Sequence, residues 1–338
     1  MRLQDLRQRW PFGALQLPGG LRRWVTLASV GFLLAALLAH GRQLLELQLD
    51  GQGWCWLLLG IGVSLLSLVV NGLAWGVVLQ WLGHGPRWAA VVLLFLDSNL
   101  RKYLPGGIWH LAQRLRALQT ASDRQPSAPV PHPCSGRQAA VAVLLEPLLA
   151  ALAALALVPF GGWQGGLGLL ALLPLGVLLP RWFGPLLERL ERRRLREWTD
   201  QGLLQAVAPA AEAAALAPPW QGRGFPWPPL LAELGFVLLR FGGFACCVQA
   251  FDLSFSLGWG GWLAGFAIAW TAGLVVPGAP GGLGVFETVL LLRLTAVVPE
   301  APLLAVAISY RLVTAAADLL AAAMARRDLA ALRNRSYC

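Results

Sequence analysis

An all-α, polytopic membrane bundle, with about six full spans and two broken or re-entrant helical elements, is the fold the sequence predicts. Three observations predict it. Of 338 residues, 57% are hydrophobic and 13% charged, with a mean hydropathy of +0.60; soluble domains carry about 25% charged residues. Several apolar runs reach the length needed to cross a hydrocarbon core of about 30 Å. Two runs, far apart in the chain, are interrupted by glycine and proline, as in transporters built from inverted halves.

Residues 1–23 form a basic N-terminus, with Arg2, Arg7, Arg9, Arg22 and Arg23 against Asp5, and are expected on the cytoplasmic side. The first span runs from Trp24 to Ala39 and is expected to be retained rather than cleaved. A second span covers Trp54 to Leu82, with tryptophans near both ends as interfacial anchors.

Trp88 to Leu100 is apolar but covers only about 20 Å as a helix, too short to cross. It meets Arg101-Lys102 and the break Pro105-Gly106-Gly107, then resumes with Ile108, Leu111, Ala112, Leu115 and Leu118 on one face. A re-entrant hairpin entering from the cytoplasm and a bent helix pair on the membrane surface both fit. Ala121 to Arg137 is a polar linker. Spans three and four are expected at Gln138 to Pro159 and Trp163 to Leu179, and a cytoplasmic loop with an arginine-rich run at 180–229.

Leu230 to Phe251 is the fifth span. Gly258 to Val276 then enters the membrane and breaks at 277–284, where Pro277, Gly278, Pro280, Gly281, Gly282 and Gly284 forbid a continuous helix. Val285 to Val298 resumes it. The pair reads as a hairpin from outside or as two crossings. Ala301 to Met324 is the last span, closing a single transmembrane domain at 24–325, and 326–338 is a basic cytoplasmic tail.

A backbone break inside hydrocarbon survives only where protein or a wet cavity satisfies its polar groups. A helix restarting there offers free N–H groups and the positive end of its dipole, an anion site. Candidate headgroup-binding residues are therefore Arg101, Lys102, Pro105, Gly106, Gly107, Arg114, Pro280, Gly281, Gly282, Gly284, Glu287 and Arg311. The glycines equally permit close helix packing, and Glu287 is placed either to cap its own helix, or to meet a cationic headgroup or carry a coupling proton. Glu146, Glu233, Arg240, Arg293 and Asp318 are further ionisable residues in apolar segments, where such groups are costly and face a cavity or a partner. Arg311 and Asp318, seven apart, share a helix face and read as an ion pair.

The net charge of +10 rests on arginine, with Lys102 the single lysine, and orients loops rather than binding nucleic acid. Five scattered cysteines and four histidines form no disulfide or zinc pattern, and no nucleophile or nucleotide motif is present. No catalytic residue, metal or cofactor is expected.

Pro280-Gly281-Gly282-Leu283-Gly284-Val285-Phe286-Glu287 closely resembles the PGGxGxxE signature of the lysylphosphatidylglycerol synthase transmembrane-region family, the flippase-like membrane proteins. Asn99 to Arg114 is similar to that family's earlier PG-containing element with a downstream arginine. The likeness covers about residues 20–325. It implies movement or binding of a phospholipid or a polyprenyl-phosphate-linked lipid across the plasma membrane, with a membrane-embedded enzyme or accessory subunit as the alternative. These 338 residues hold no aminoacyl-transferase domain, so a stand-alone member is expected. Its expected partners are an anionic membrane lipid, with a lipid-modifying enzyme and a second copy of the chain left open.

Overall fold

A computed structural model describes residues 49–103, 109–123, 125–162, 167–179, 224–253, 256–276 and 280–335. The expected first span, nearly all of the 180–229 loop, and Pro105, Gly106 and Gly107 lie outside them. Among the described residues every regular element is helical. Four helices are long and apolar enough to cross a membrane: α1 (Gly51–Trp81), α4 (Gly136–Leu157, with a 3-10 extension to Gly161), α6 (Trp227–Ala250) and α9 (Glu300–Arg335). Each lies where the hydropathy placed a span, and the chain is a multi-pass membrane protein.

The ends of these helices follow from local chemistry. Asp50 accepts the Gly53 N–H at 2.6 Å and caps α1. Ser135 and Gln138 form a reciprocal capping box at the start of α4. In α6 the prolines at 228 and 229 sit in the first turn, where no intrahelical donor is lost. α1 and α6 make the most extensive helix pair. Gly60 and Gly243 lie in that seam; a Cβ on Gly60 would stand 3.5 Å from the Gly243 carbonyl oxygen.

Trp163 to Leu179 departs from the expected crossing. Its described part is one short turn, α5 (Leu167–Leu170), and a 3-10 turn (Leu173–Leu178). Pro174 sits in the first turn of the 3-10 segment, where it has no N–H to continue the preceding helix. Apolar content alone did not reveal that break. The 121–137 linker is also less solvent-like than its composition: Ala121, Ala128, Val130 and Cys134 are buried.

Both interrupted elements are helical hairpins. In the first, α2 (Trp88–Asn99) leads through a 3-10 turn (Leu100–Tyr103) towards α3 (Trp109–Gln119). Arg87 at its base bonds to Asp123 and to the Gln125 carbonyl, while Ser98 and Asp97 near its tip bond to Arg114 and Gln113. That pairing order is antiparallel. In the second, α7 (Trp259–Val275) packs along α8 (Val285–Leu294). Gly265 faces Leu294, and Gly273 faces Gly282 and Phe286, again antiparallel. With ten residues, α8 spans about 15 Å, half a hydrocarbon core, so this element turns back inside the bundle rather than crossing twice.

The hairpins approach from opposite ends of α9. The loop from α8 leads directly into the start of α9, and the second hairpin's turn reaches Arg311, about 17 Å along that helix. On the first hairpin Asp97 pairs with Arg326, and Asn99 and Tyr103 with Asp318, so its tip points back towards the start of α9. The two turns touch: a Cβ on Gly281 would lie 3.1 Å from the Tyr103 ring. Phe244, Phe266, Phe286 and Tyr310 pack together at centroid distances of 5.2 Å (Phe244–Phe266) and 5.4 Å (Phe286–Tyr310), tying the second hairpin to α6 and α9.

Gly282 has φ +73, and a Cβ there would stand 2.9 Å from the Gly273 carbonyl oxygen. The neighbour is backbone and cannot swing away. Gly282→Leu is expected to cost at least about 1–3 kcal/mol in backbone strain, before the clash is counted. Thermal unfolding in detergent checks this against Gly235→Ala, a site with open space.

Candidate functional site

Where the turns meet, the backbone break is satisfied by side chains. Gly281, Gly282 and Gly284 have φ of +60, +73 and +81, the left-handed region that glycine occupies without penalty. This geometry turns the Gly281 and Gly282 carbonyls towards α9. Arg311 donates to them at 2.7 and 2.6 Å through its two terminal nitrogens, and through Nε to Glu287 at 2.5 Å. Its guanidinium also lies 5.0 Å from the Phe286 ring centroid. Glu287, 1% exposed, uses its other oxygen to accept the Gly284 N–H at 2.7 Å. It is both the cap of its own helix and the counter-ion of Arg311.

The amide end of α8 is thus partly occupied by its own carboxylate rather than left open for a ligand.

A second cluster adjoins the first. Asp318 accepts from Asn99 Nδ2 at 2.7 Å and the Tyr103 hydroxyl at 2.6 Å, and pairs with Lys102 Nζ at 2.7 Å. The expected Arg311–Asp318 pair does not form. Seven residues put both on one face of α9, but about 10 Å apart along it, and each finds a closer partner on a hairpin. Arg240, buried on α6, donates to the Ser67 hydroxyl at 3.4 Å and lies beside Tyr310, while its Nε has no hydrogen-bond partner among the described residues. Tyr310, Asp318 and Tyr103 are the groups whose fields it feels.

Arg114 anchors a third cluster, apart from the first two. It is buried, donates to Ser98 Oγ at 2.9 Å and to Glu146 at 3.1 Å, and lies over the Phe95 ring at 3.7 Å. Glu233 is buried beside Arg114 and Glu146.

Of the residues expected at a headgroup site, Lys102, Gly281, Gly282, Gly284, Glu287 and Arg311 come together with the α8 turn that Pro280 opens. Arg114 belongs to the neighbouring cluster, and Arg101 is exposed, with its charge directed at Asp97. Asn99, Tyr103 and Arg240 complete the polar centre, beyond the residues expected there from the sequence. Asn99 and Tyr103 carry no charge, so an apolar-run scan passes over them; Arg240 was visible as a lone arginine in a span.

Among the described residues no group of three or more His, Cys, Asp or Glu side chains gathers to hold a metal ion. Cys134, in the linker, lies 3.7 Å from the His84 ring, and burial pushes its thiol up to about 11. That makes it a packing residue rather than a reactive thiol.

No curated protein matches the chain. The lysylphosphatidylglycerol synthase TM region family matches it over residues 23–322, and with nearly its whole length covered the chain belongs to that family.

Proposed function

We propose that the chain binds the anionic headgroup of a phospholipid or lipid-linked phosphate at the meeting of its two hairpins and carries it across the plasma membrane. One observation carries the reading. Among the described residues, Lys102, Arg240 and Arg311 converge there on two carboxylates, Glu287 and Asp318, leaving one cation in surplus. A buried charge without a counter-ion is costly, and Arg240 is the one of the three that forms no salt bridge among the described residues. A phosphate neutralises it, while the turns approaching from opposite ends of the bundle give a route in from either leaflet. The basic end of α9, with Arg326 and Arg327, lies in the cytoplasm under the positive-inside rule, so the first hairpin enters from that side. A lipid-modifying enzyme that supplies the cargo, or a second copy of the chain, is compatible with this arrangement.

The test is lipid movement in liposomes holding the full chain and a headgroup-labelled phosphatidylglycerol. Outside quencher is expected to reach inner-leaflet label at a protein-dependent rate. Arg240→Gln keeps a polar side chain but shortens it and removes its charge, and is expected to lower that rate roughly 10- to 100-fold, the value of a charged hydrogen bond. An unchanged rate removes Arg240 from the path. A chemically altered lipid on mass analysis replaces translocation with catalysis.

A further inference from the structure

Glu233 is 0% exposed, and neither of its carboxylate oxygens has a hydrogen-bond partner among the described residues. It lies on α6, which packs against α4, where Glu146 is buried in its pair with Arg114. The charges of both Glu146 and Arg114 act on Glu233. One guanidinium therefore bonds to one buried carboxylate while a second lies within its field, unpaired among the described residues.

Among the described residues the surrounding elements offer no second cation of their own. α1 contributes Ser64, Ser67 and Asn71, and α7 contributes Thr271, all uncharged. From α9, Asp318 and Tyr310 bear on Arg240, which is two turns from Glu233 on the same helix. Lys102 acts on Glu146 but is paired with Asp318. Like charges packed together out of water do not both stay ionised; a shared proton resolves the conflict.

We propose that Glu146 and Glu233, sharing Arg114, form a proton site that holds one proton in common, adjacent to the headgroup site but separate from it. Lys102 lies in the field of both clusters, so the two are coupled electrostatically. Resting on the headgroup reading above, the coupling has a definite sign. Losing the proton adds a negative charge next to an anion site and weakens anion binding. By reciprocity a bound anion draws the proton on, so headgroup affinity falls as pH rises through the titration of the pair.

Infrared spectra of the full-length protein in lipid bilayers test the site without reference to transport. At neutral pH a protonated-carboxyl C=O band is expected, shifted in D2O and lost at high pH. It should vanish in Glu233→Gln and equally in Glu146→Gln, because the remaining carboxylate then has Arg114 to itself. A band that survives Glu146→Gln marks a solitary buried acid and overturns the sharing. No such band in the wild type, or a carboxylate signal that responds to sodium at fixed pH, overturns the proton site.

Calorimetric titration with short-chain phosphatidylglycerol in buffers of different ionisation enthalpy then reads the coupling. Proton uptake on binding is expected in the wild type and its loss in Glu233→Gln; binding without uptake overturns the coupling. If the lipid does not bind, the headgroup reading fails while the infrared band still decides the proton site.

Discussion

Arg311→Ala is expected to abolish lipid movement and to lower stability by about 3 kcal/mol, near the low end for breaking a buried pair. The low end applies because the Arg311 side chain is 21% exposed. Three acceptors lose their donor at once. Glu287 keeps only the Gly284 N–H, and the Gly281 and Gly282 carbonyls are left facing a void. Those carbonyls point inward because the glycines are in the left-handed region, so the turn cannot recover by a small rotation. It must refold.

Arg311→Lys separates charge from geometry. A lysine preserves the positive charge but presents a compact ammonium, which cannot span Glu287 and both carbonyls as the planar fork does. It is expected to fall between wild type and alanine in thermal unfolding in nanodiscs. In a double-mutant cycle with Glu287→Gln, the two changes should cost less together than the sum of each alone, since either removes the same pair. Full additivity would mean that Arg311 and Glu287 act independently and that the capping role of Glu287 stands alone.

The two breaks were legible in the sequence because proline and glycine act locally. Pro280-Gly281-Gly282 forbids a helix whatever surrounds it, and Trp88–Asn99 is too short to cross by length alone. Partners were not legible. Spacing shows that Arg311 and Asp318 share a face of α9, yet says nothing of what stands opposite, and Asn99, Lys102 and Tyr103 come to Asp318 from more than 200 residues away. Glu287 illustrates the same limit. Its position in the first turn announced a cap, but the second role needed Arg311 from another helix. The interruption of the helix within 167–178 was not legible for a related reason. An apolar run fixes affinity for hydrocarbon or a protein core without fixing its helical continuity, and Pro174 decided the latter.

Asp318→Asn is expected to raise affinity for an anionic headgroup while slowing its passage. Asp318 is one of the two carboxylates that hold the cation surplus at one; removing its charge raises the surplus to two beside the same turns. A bound phosphate then gains a second counter-ion, and leaving becomes the harder step. Structure pays too. The Asp318 side chain is fully buried, and its bonds to Asn99, Tyr103 and Lys102 fasten the first hairpin to α9.

Leaving Lys102 without its carboxylate is expected to cost about 3–5 kcal/mol if no anion replaces it. Added phosphatidylglycerol should therefore restore thermal stability in Asp318→Asn more than in the wild type, by mass action on the folded state alone. The measurement is a melting curve in detergent with and without short-chain lipid, set beside the liposome rate. A variant that melts early and is not rescued by lipid would place Asp318 in the scaffold only. One that is rescued yet moves lipid at the wild-type rate would separate binding at this point from transport.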